Sequence, residues 1–191
     1  MGIKEGITAK KVLKIIIICV VVGFFLFVFA LFQTCKTKST SISKRDPFKE
    51  VIGKELIIKR PVRLFMPKDP DKTDYPYAIS DTNQVSWESY MSGLQANEPE
   101  IKLSDSIKEN AKVVFDKAVI YTNGVSGFSR PKLFGTLTST EGNTYKVEFC
   151  WGKYESGYPW KGSHQPYKFS IAPWQEVQDT AHYYLPSAQW W

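Results

Sequence analysis

"KLFGTLTSTEGNTYKVEFCWG", residues 132–152, decides how the polar part of this chain folds. Leu133, Gly135 and Leu137 alternate with polar or smaller residues. A turn signal follows at Thr140, Glu141, Gly142 and Asn143. Beyond it Tyr145, Val147, Phe149 and Trp151 share one face, and Thr144, Lys146, Glu148 and Cys150 the other. A side-chain period of two on either side of a Gly-containing turn is the signature of a β-hairpin. The surrounding fold must therefore supply a sheet.

Working outward, residues 112–121 (KVVFDKAVIY) are β-branched and alternate imperfectly, which predicts a strand entered through a turn at Glu109 and Asn110. Ser106 and Glu109 have the spacing of a helix capping box, but the β-branched run outweighs it. Residues 53–67 place Leu56, Ile58, Val62, Leu64 and Met66 on one side of a strand. Pro61 has no N–H to give, so that strand lies at an edge or carries a bulge. Trp87, Tyr90, Met91 and Leu94 recur at i, i+3, i+4 and i+7, predicting a short amphipathic helix capped by Asp81 or Asn83. Tyr167, Phe169 and Ile171 predict one more strand. The spacing of Trp174, Val177, Ala181 and Tyr184 suggests a terminal helix. The expected class is a mainly-β soluble domain with one or two short helices, a small barrel or sandwich. The strand–hairpin–strand order resembles small SH3-like barrels in pattern.

At the other end, residues 15–32 read IIIICVVVGFFLFVFALF, 18 residues without a charge. As an α-helix this run spans about 27 Å, close to the hydrocarbon thickness of a bilayer. A cleaved signal peptide is the competing reading, since Val28–Phe29–Ala30 fits a small-residue cleavage pattern. The apolar run continues past that point to Phe32 and is longer than a usual signal core. Lipid attachment at Cys35 is disfavoured by the residues before it. The expectation is an uncleaved anchor in contact with the bilayer. The boundaries are a short basic tail at 1–14, a transmembrane helix at 15–32, a flexible polar stalk at 33–47 and a β-rich domain at 48–191. Basic residues flank both sides of the helix almost equally, so the positive-inside rule hardly discriminates. A short basic tail ahead of a long folded region favours the tail inside the cell. The C-terminal domain is then expected outside the cytoplasm, on the periplasmic side of a bacterial inner membrane.

The net charge of +6 is confined to the membrane end. Residues 1–50 hold 9 basic and 3 acidic residues, whereas residues 51–191 hold 16 of each. A neutral domain lacks the electrostatic footprint of a nucleic-acid binder. The three cysteines, Cys19, Cys35 and Cys150, form no CxxC pair. His164 and His182 stand in no HxH or HExxH arrangement. No metal or cofactor is expected. GxSxG, P-loop and GxGxxG motifs are absent, and the Gly124–Ser129 stretch reads as a turn.

Aromatic residues are the remaining signal, with 13 Phe, Trp or Tyr among residues 145–191. Tyr and Trp in a loop give large, rigid, amphipathic contact area. The expected contact residues are Tyr154, Tyr158, Trp160, His164 and Tyr167. Trp190 and Trp191 are further aromatic residues of unassigned role. The functional expectation is a membrane-anchored, non-enzymatic binding module facing the cell envelope. An envelope protein or a cell-wall polymer would be its partner, as for an immunity-type protein or an accessory subunit. One alternative is a structural subunit of a membrane complex, although no GxxxG motif supports helix packing. Another is a cell-wall hydrolase using Cys150 with His164, or carboxylates among Glu148, Glu155 and Glu176.

Overall fold

The computed structural model describes residues 9–67, 74–84, 86–96, 98 and 101–187. Among the described residues, helix α1 (Ala9–Cys35) is followed by eleven strands, one short 3-10 turn of helix (Phe48–Glu50) and one further α-helix. The strands are β1 (Lys38–Ser41), β2 (Glu55–Ile57), β3 (Val62–Pro67), β4 (Tyr77–Ser80), β5 (Ile101–Ile107), β6 (Lys112–Thr122), β7 (Ser129–Thr138), β8 (Thr144–Cys150), β9 (Lys153–Tyr154), β10 (His164–Lys168) and β11 (His182–Pro186). Helix α2 (Trp87–Gln95) lies between β4 and β5. The class is the expected one: a long apolar N-terminal helix and a mainly-β domain with few helices. No residue of α1 is buried, and its length and composition suffice to cross a membrane.

The β7–β8 hairpin forms as read, from Lys132 opposite Cys150 to Thr138 opposite Thr144. Gly142, at φ 88°, turns the chain, and Ser139 Oγ accepts from the Asn143 N–H. The hairpin lies within an eight-stranded sheet ordered β1-β6-β7-β8-β4-β3-β5, with β2 also on β6. All pairs are antiparallel except β4 with β8. The sheet stays open and does not close into a barrel. Strands β1 and β2 share the outer edge of β6, one at each end. Between them Ile42 N–H bonds Ala118 O, and Gly53 N–H bonds Phe115 O. This covers the longest edge of the sheet and leaves no template for foreign strands there.

A second sheet, β11-β10-β9, packs its apolar residues into the same core. The seam is aromatic. Trp151 lies 4.9 Å from Phe169, 5.5 Å from Trp174 and 5.7 Å from Phe48, ring centre to ring centre. Phe115 and Phe149 complete the cluster against Trp174, at 5.2 and 5.1 Å. All these contacts are edge-on or tilted, the geometry that ring quadrupoles favour. On the opposite face of the large sheet, α2 covers Phe65, with Tyr90 stacked on it at 4.7 Å and Trp87 at its edge.

Four sequence expectations change. Residues 38–41 lie in the expected stalk but form β1, because the free edge of β6 offers backbone partners to a polar segment. The single strand across residues 56–66 divides into β2 and β3 around Pro61. The β3–β5 register shifts between Leu64 and Phe65; Leu64 joins the main core, Phe65 is buried on the opposite face under α2, and Met66 is partly exposed. The terminal helix is replaced by a turn and β11. Its spacing gives no apolar face, since Trp174 is buried and Val177 exposed. Finally, α2 begins after Ser86, and the Asp81 carboxylate holds the preceding turn through the Asn83 N–H.

Gly135 sits where β7 crosses the β6 bulge. A Cβ there would lie 2.1 Å from Val114 O and 2.6 Å from Phe115 Cα, both backbone atoms that cannot step aside. Gly135→Ala should destabilise the domain by about 1–3 kcal/mol or more. The check is thermal or urea unfolding of the full-length protein in detergent, and an unchanged midpoint would contradict this reading of the bulge.

Candidate functional site

Two surfaces combine exposed chemistry with fixed geometry. The first is built by the β9–β10 connection. Its far end is a tight turn in which Lys161 and His164 exchange two backbone hydrogen bonds of 3.0 Å across Gly162, at φ 60°. Its near end bends through a Tyr158 N–H to Glu155 O bond. Tyr158 and Trp160 remain 44% and 50% exposed, yet both are held. The Tyr158 ring lies 4.1 Å from that of His182, and Trp160 Nε1–H donates to Tyr154 Oη at 3.0 Å. Lys161 Nζ sits 3.9 Å above the Tyr184 ring, a cation–π contact. The result is a patch of Tyr154, Tyr158, Trp160, Lys161, His182 and Tyr184 drawn from β9, its loop and β11.

Of the expected contact residues, Tyr154, Tyr158 and Trp160 come together here. His164 lies at the root of the turn, where its Nε2 accepts from Arg45 Nη1 at 3.3 Å. Tyr167 departs from expectation because it is fully buried and packs inside the core. Its hydroxyl donates to Gln165 Oε1 at 3.0 Å, and burial pushes its pKa up. Trp190 and Trp191 lie outside the described residues. His182, Lys161 and Tyr184 escaped the sequence reading. Tyr184 and its neighbours had been given to a helix, and only their pairing with β10 brings them to the loop.

The second surface is a groove on the other side of the large sheet. One part, of about 460 Å³, is lined by residues including Thr37, Tyr90, Asn123, Phe128, Arg130 and Lys132. A second part, of about 270 Å³, adds Ser86, Ser89, Cys150 and Tyr154. At its floor Lys132 Nζ donates to Glu148 Oε1 at 2.8 Å, with both side chains nearly sealed from water. Alternation predicts Glu148 on a solvated face, but α2 covers that face. The consecutive Leu133 and Phe134, both buried, were the available sign that the sheet is covered on both sides. Burial, and then the Glu148 charge, push the Tyr90 phenol up to about 12, so it stays protonated and a donor at neutral pH.

The candidate hydrolytic residues are dispersed among these features. Cys150 lines the groove, whereas His164 is absent from its lining and engages Arg45. Glu148 is committed to Lys132, and Glu176 to Lys59 at 2.6 Å on the surface. Glu155 serves the β9–β10 turn through its backbone. Among the described residues, no three His, Cys, Asp or Glu side chains converge to hold a metal. Comparisons with protein-family models, curated proteins and solved structures found no match.

Two predictions follow from these contacts. Removing one partner of a buried ion pair takes away compensation that the other charge needs in a site closed to water. Lys132→Met should therefore cost about 3–5 kcal/mol of stability. Lys132→Met/Glu148→Leu should cost less, which chemical denaturation of both variants would reveal. The second concerns β11. Tyr183 donates to the Asp179 carboxylate, which this bond and the Ala181 N–H hold below its ordinary pKa. The same bond, with burial, raises Tyr183 to about 12. The contribution is complete above the unfolded Asp value of about 4 and is lost as pH falls through the lower folded value. It is also complete below the unfolded Tyr value of about 10 and is lost as pH rises through about 12. The stability gap between wild type and Tyr183→Phe should thus be flat near neutrality, at most about 1 kcal/mol, and close in strong acid. Melting curves of both proteins from pH 2 to 9 test this.

Proposed function

We propose that the protein is a single-pass membrane-tethered binding module, without catalytic activity of its own, that presents the Tyr158–Trp160 patch to a protein partner at the cell envelope. The observation that carries this reading is the pre-organisation of two exposed aromatic side chains. An exposed ring that is already fixed loses little conformational freedom on binding, so its buried area converts to affinity efficiently. Large flat side chains of this kind dominate the energetics of protein interfaces. A cell-wall glycan is the weaker occupant. Sugar stacking needs open ring faces, and one face of Tyr158 and one of Tyr184 are taken by His182 and Lys161.

The anchoring half of the proposal rests on α1, whose uncharged run at residues 15–32 spans about 27 Å, close to a bilayer's hydrocarbon thickness, and which has no buried residue. An extracytoplasmic domain is favoured by the short basic segment ahead of the helix. It fits the absence of Asn-x-Ser/Thr sequons in a bacterial exported domain.

The test is crosslinking of the full-length protein in native membranes followed by affinity capture. Tyr158→Ala/Trp160→Ala should reduce recovery of the specific partner by at least tenfold, corresponding to about 1.4 kcal/mol or more at hot-spot positions. Equal recovery by the double variant would remove the patch as the contact site. Retention on purified cell-wall polymer, abolished by the same variant, would replace the protein partner with a glycan.

A further inference from the structure

The β6–β7 hairpin tip, residues 123–128, is built with more care than a solvent loop requires. Asn123 Oδ1 accepts from the Val125 and Ser126 N–H groups at 2.9 Å each. Asn123 N–H bonds Phe128 O, and Gly127 N–H bonds Asn123 O, both at 2.9 Å. Ser126 Oγ accepts from the Phe128 N–H. This closed network presents Val125 at 77% and Phe128 at 50% exposure. Water gains nothing from such a display, so an apolar neighbour is the natural reason for it.

Position identifies that neighbour. The tip packs directly on the exit of α1: a Cβ on Gly124 would lie 2.4 Å from Thr34 O and 2.5 Å from Lys36 O. The uncharged run of α1 ends at Phe32. In a helix that crosses the bilayer, Thr34 to Lys36 then stand at headgroup level, and so does the tip beside them. Charge agrees. Residues 117–139 contain no Asp or Glu, and neither do residues 36–45. The Arg130 guanidinium lies 5.2 Å over the Phe128 ring, and Lys36 Nζ lies 4.7 Å over Phe32. Apolar side chains topped by cations match the profile of an anionic membrane surface.

We propose that the β6–β7 hairpin tip is a second membrane contact. It seats Val125 and Phe128 in the headgroup layer of the bilayer that α1 crosses, with Arg130 and Lys36 against anionic lipid. The proposal depends on α1 being embedded, and it fixes the attitude of the domain over the membrane.

The test uses full-length protein with Cys19, Cys35 and Cys150 changed to Ser, reconstituted in nanodiscs with no other protein. An environment-sensitive fluorophore is placed in turn at Val125→Cys, at Phe25→Cys inside α1, and at Glu141→Cys in the β7–β8 turn at the other end of β7. Lipids carrying a headgroup-level nitroxide report proximity. The expected result is a blue-shifted, quenched label at 125, an unquenched label at 141, and stronger quenching at 125 in phosphatidylglycerol than in phosphatidylcholine discs. A lipid-buried label at 25 with an aqueous label at 125 overturns the hairpin contact while leaving the anchor standing. An aqueous label at 25 overturns both. Equal quenching at 125 and 141 also refutes the proposal, because the domain would then lie over the membrane in another attitude. Phe128→Cys provides a second tip position should Val125→Cys alter the melting temperature.

Discussion

The structure depends on one set of contacts, the aromatic seam where Phe48, Phe115, Phe149 and Trp151 meet Phe169 and Trp174. The three-stranded sheet could not stand without it. Strand β9 contributes two residues and β10 and β11 five each, so most of this sheet is a single two-stranded hairpin, which is marginal in water without packing. Burial of Tyr167, Phe169, Trp174 and Leu185 against the large sheet supplies the missing stability. Polar clamps then set the register of the approach. Lys59 N–H bonds Pro173 O, and the half-buried Arg60 donates to the carbonyls of Ile171, Ala172 and Gln175 as well as to Asp81. The exposed patch at Tyr158 and Trp160 therefore inherits its rigidity from the core, which it reaches through Tyr154. His182 and Tyr184 are in place only because β11 is docked.

How much of this was legible follows from which interactions leave a trace in side-chain order. The β7–β8 hairpin was readable because its turn and one buried face are both written locally. Helix α1 was readable because an uninterrupted apolar run of 18 residues is itself a local signal of a helix long enough to cross a bilayer. Strand β1 left no trace. Its Lys–Ser–Thr–Ser sequence buries little, and it forms because β6 offers a row of backbone donors and acceptors, a property of another segment. Strand β11 failed for a related reason: an incidental 3.6-residue spacing imitated a helix, and only the partner strand reveals the true pairing. The site shows the same division. Exposure of Tyr158 and Trp160 could be inferred from the Gly- and Pro-rich loop that carries them. Burial of Tyr167 could not, because Gln165, Pro166 and Tyr167 are all enclosed, and alternation has no way to express a strand covered on both sides.

Glu148 makes that limit concrete. It occupies a position that alternation assigns to solvent, and in an uncovered hairpin it would be solvated. Helix α2 changes its environment, and Lys132 at 2.8 Å offsets the charge of the carboxylate there. Replacing such a pair by apolar residues is often neutral for stability, so stability alone does not explain it. Both partners lie on the β7–β8 hairpin, so the pair ties these two strands together and forms part of the floor beneath α2. The Tyr90 phenol, kept protonated beside Glu148, lines the same groove.

The tether adds a final constraint. Only Lys36 and Thr37 separate α1 from β1, and two extended residues reach about 7 Å. Because β1 is hydrogen-bonded to β6 over four residues, this short connection ends in the sheet itself, not in a free linker. A domain attached in this way cannot sample the wide volume open to one on a flexible stalk. Its β6 end must stay close to the mouth of the helix, and its other surfaces take up fixed bearings from there. If the Tyr158 patch is the contact surface proposed above, binding there occurs in a narrow range of orientations relative to the helix axis. For two molecules confined to one membrane, such alignment raises the effective concentration of the correct encounter beyond what tethering alone provides. The polar composition of residues 36–45, which in isolation suggests slack, is here the sequence of a segment whose backbone makes the connection taut.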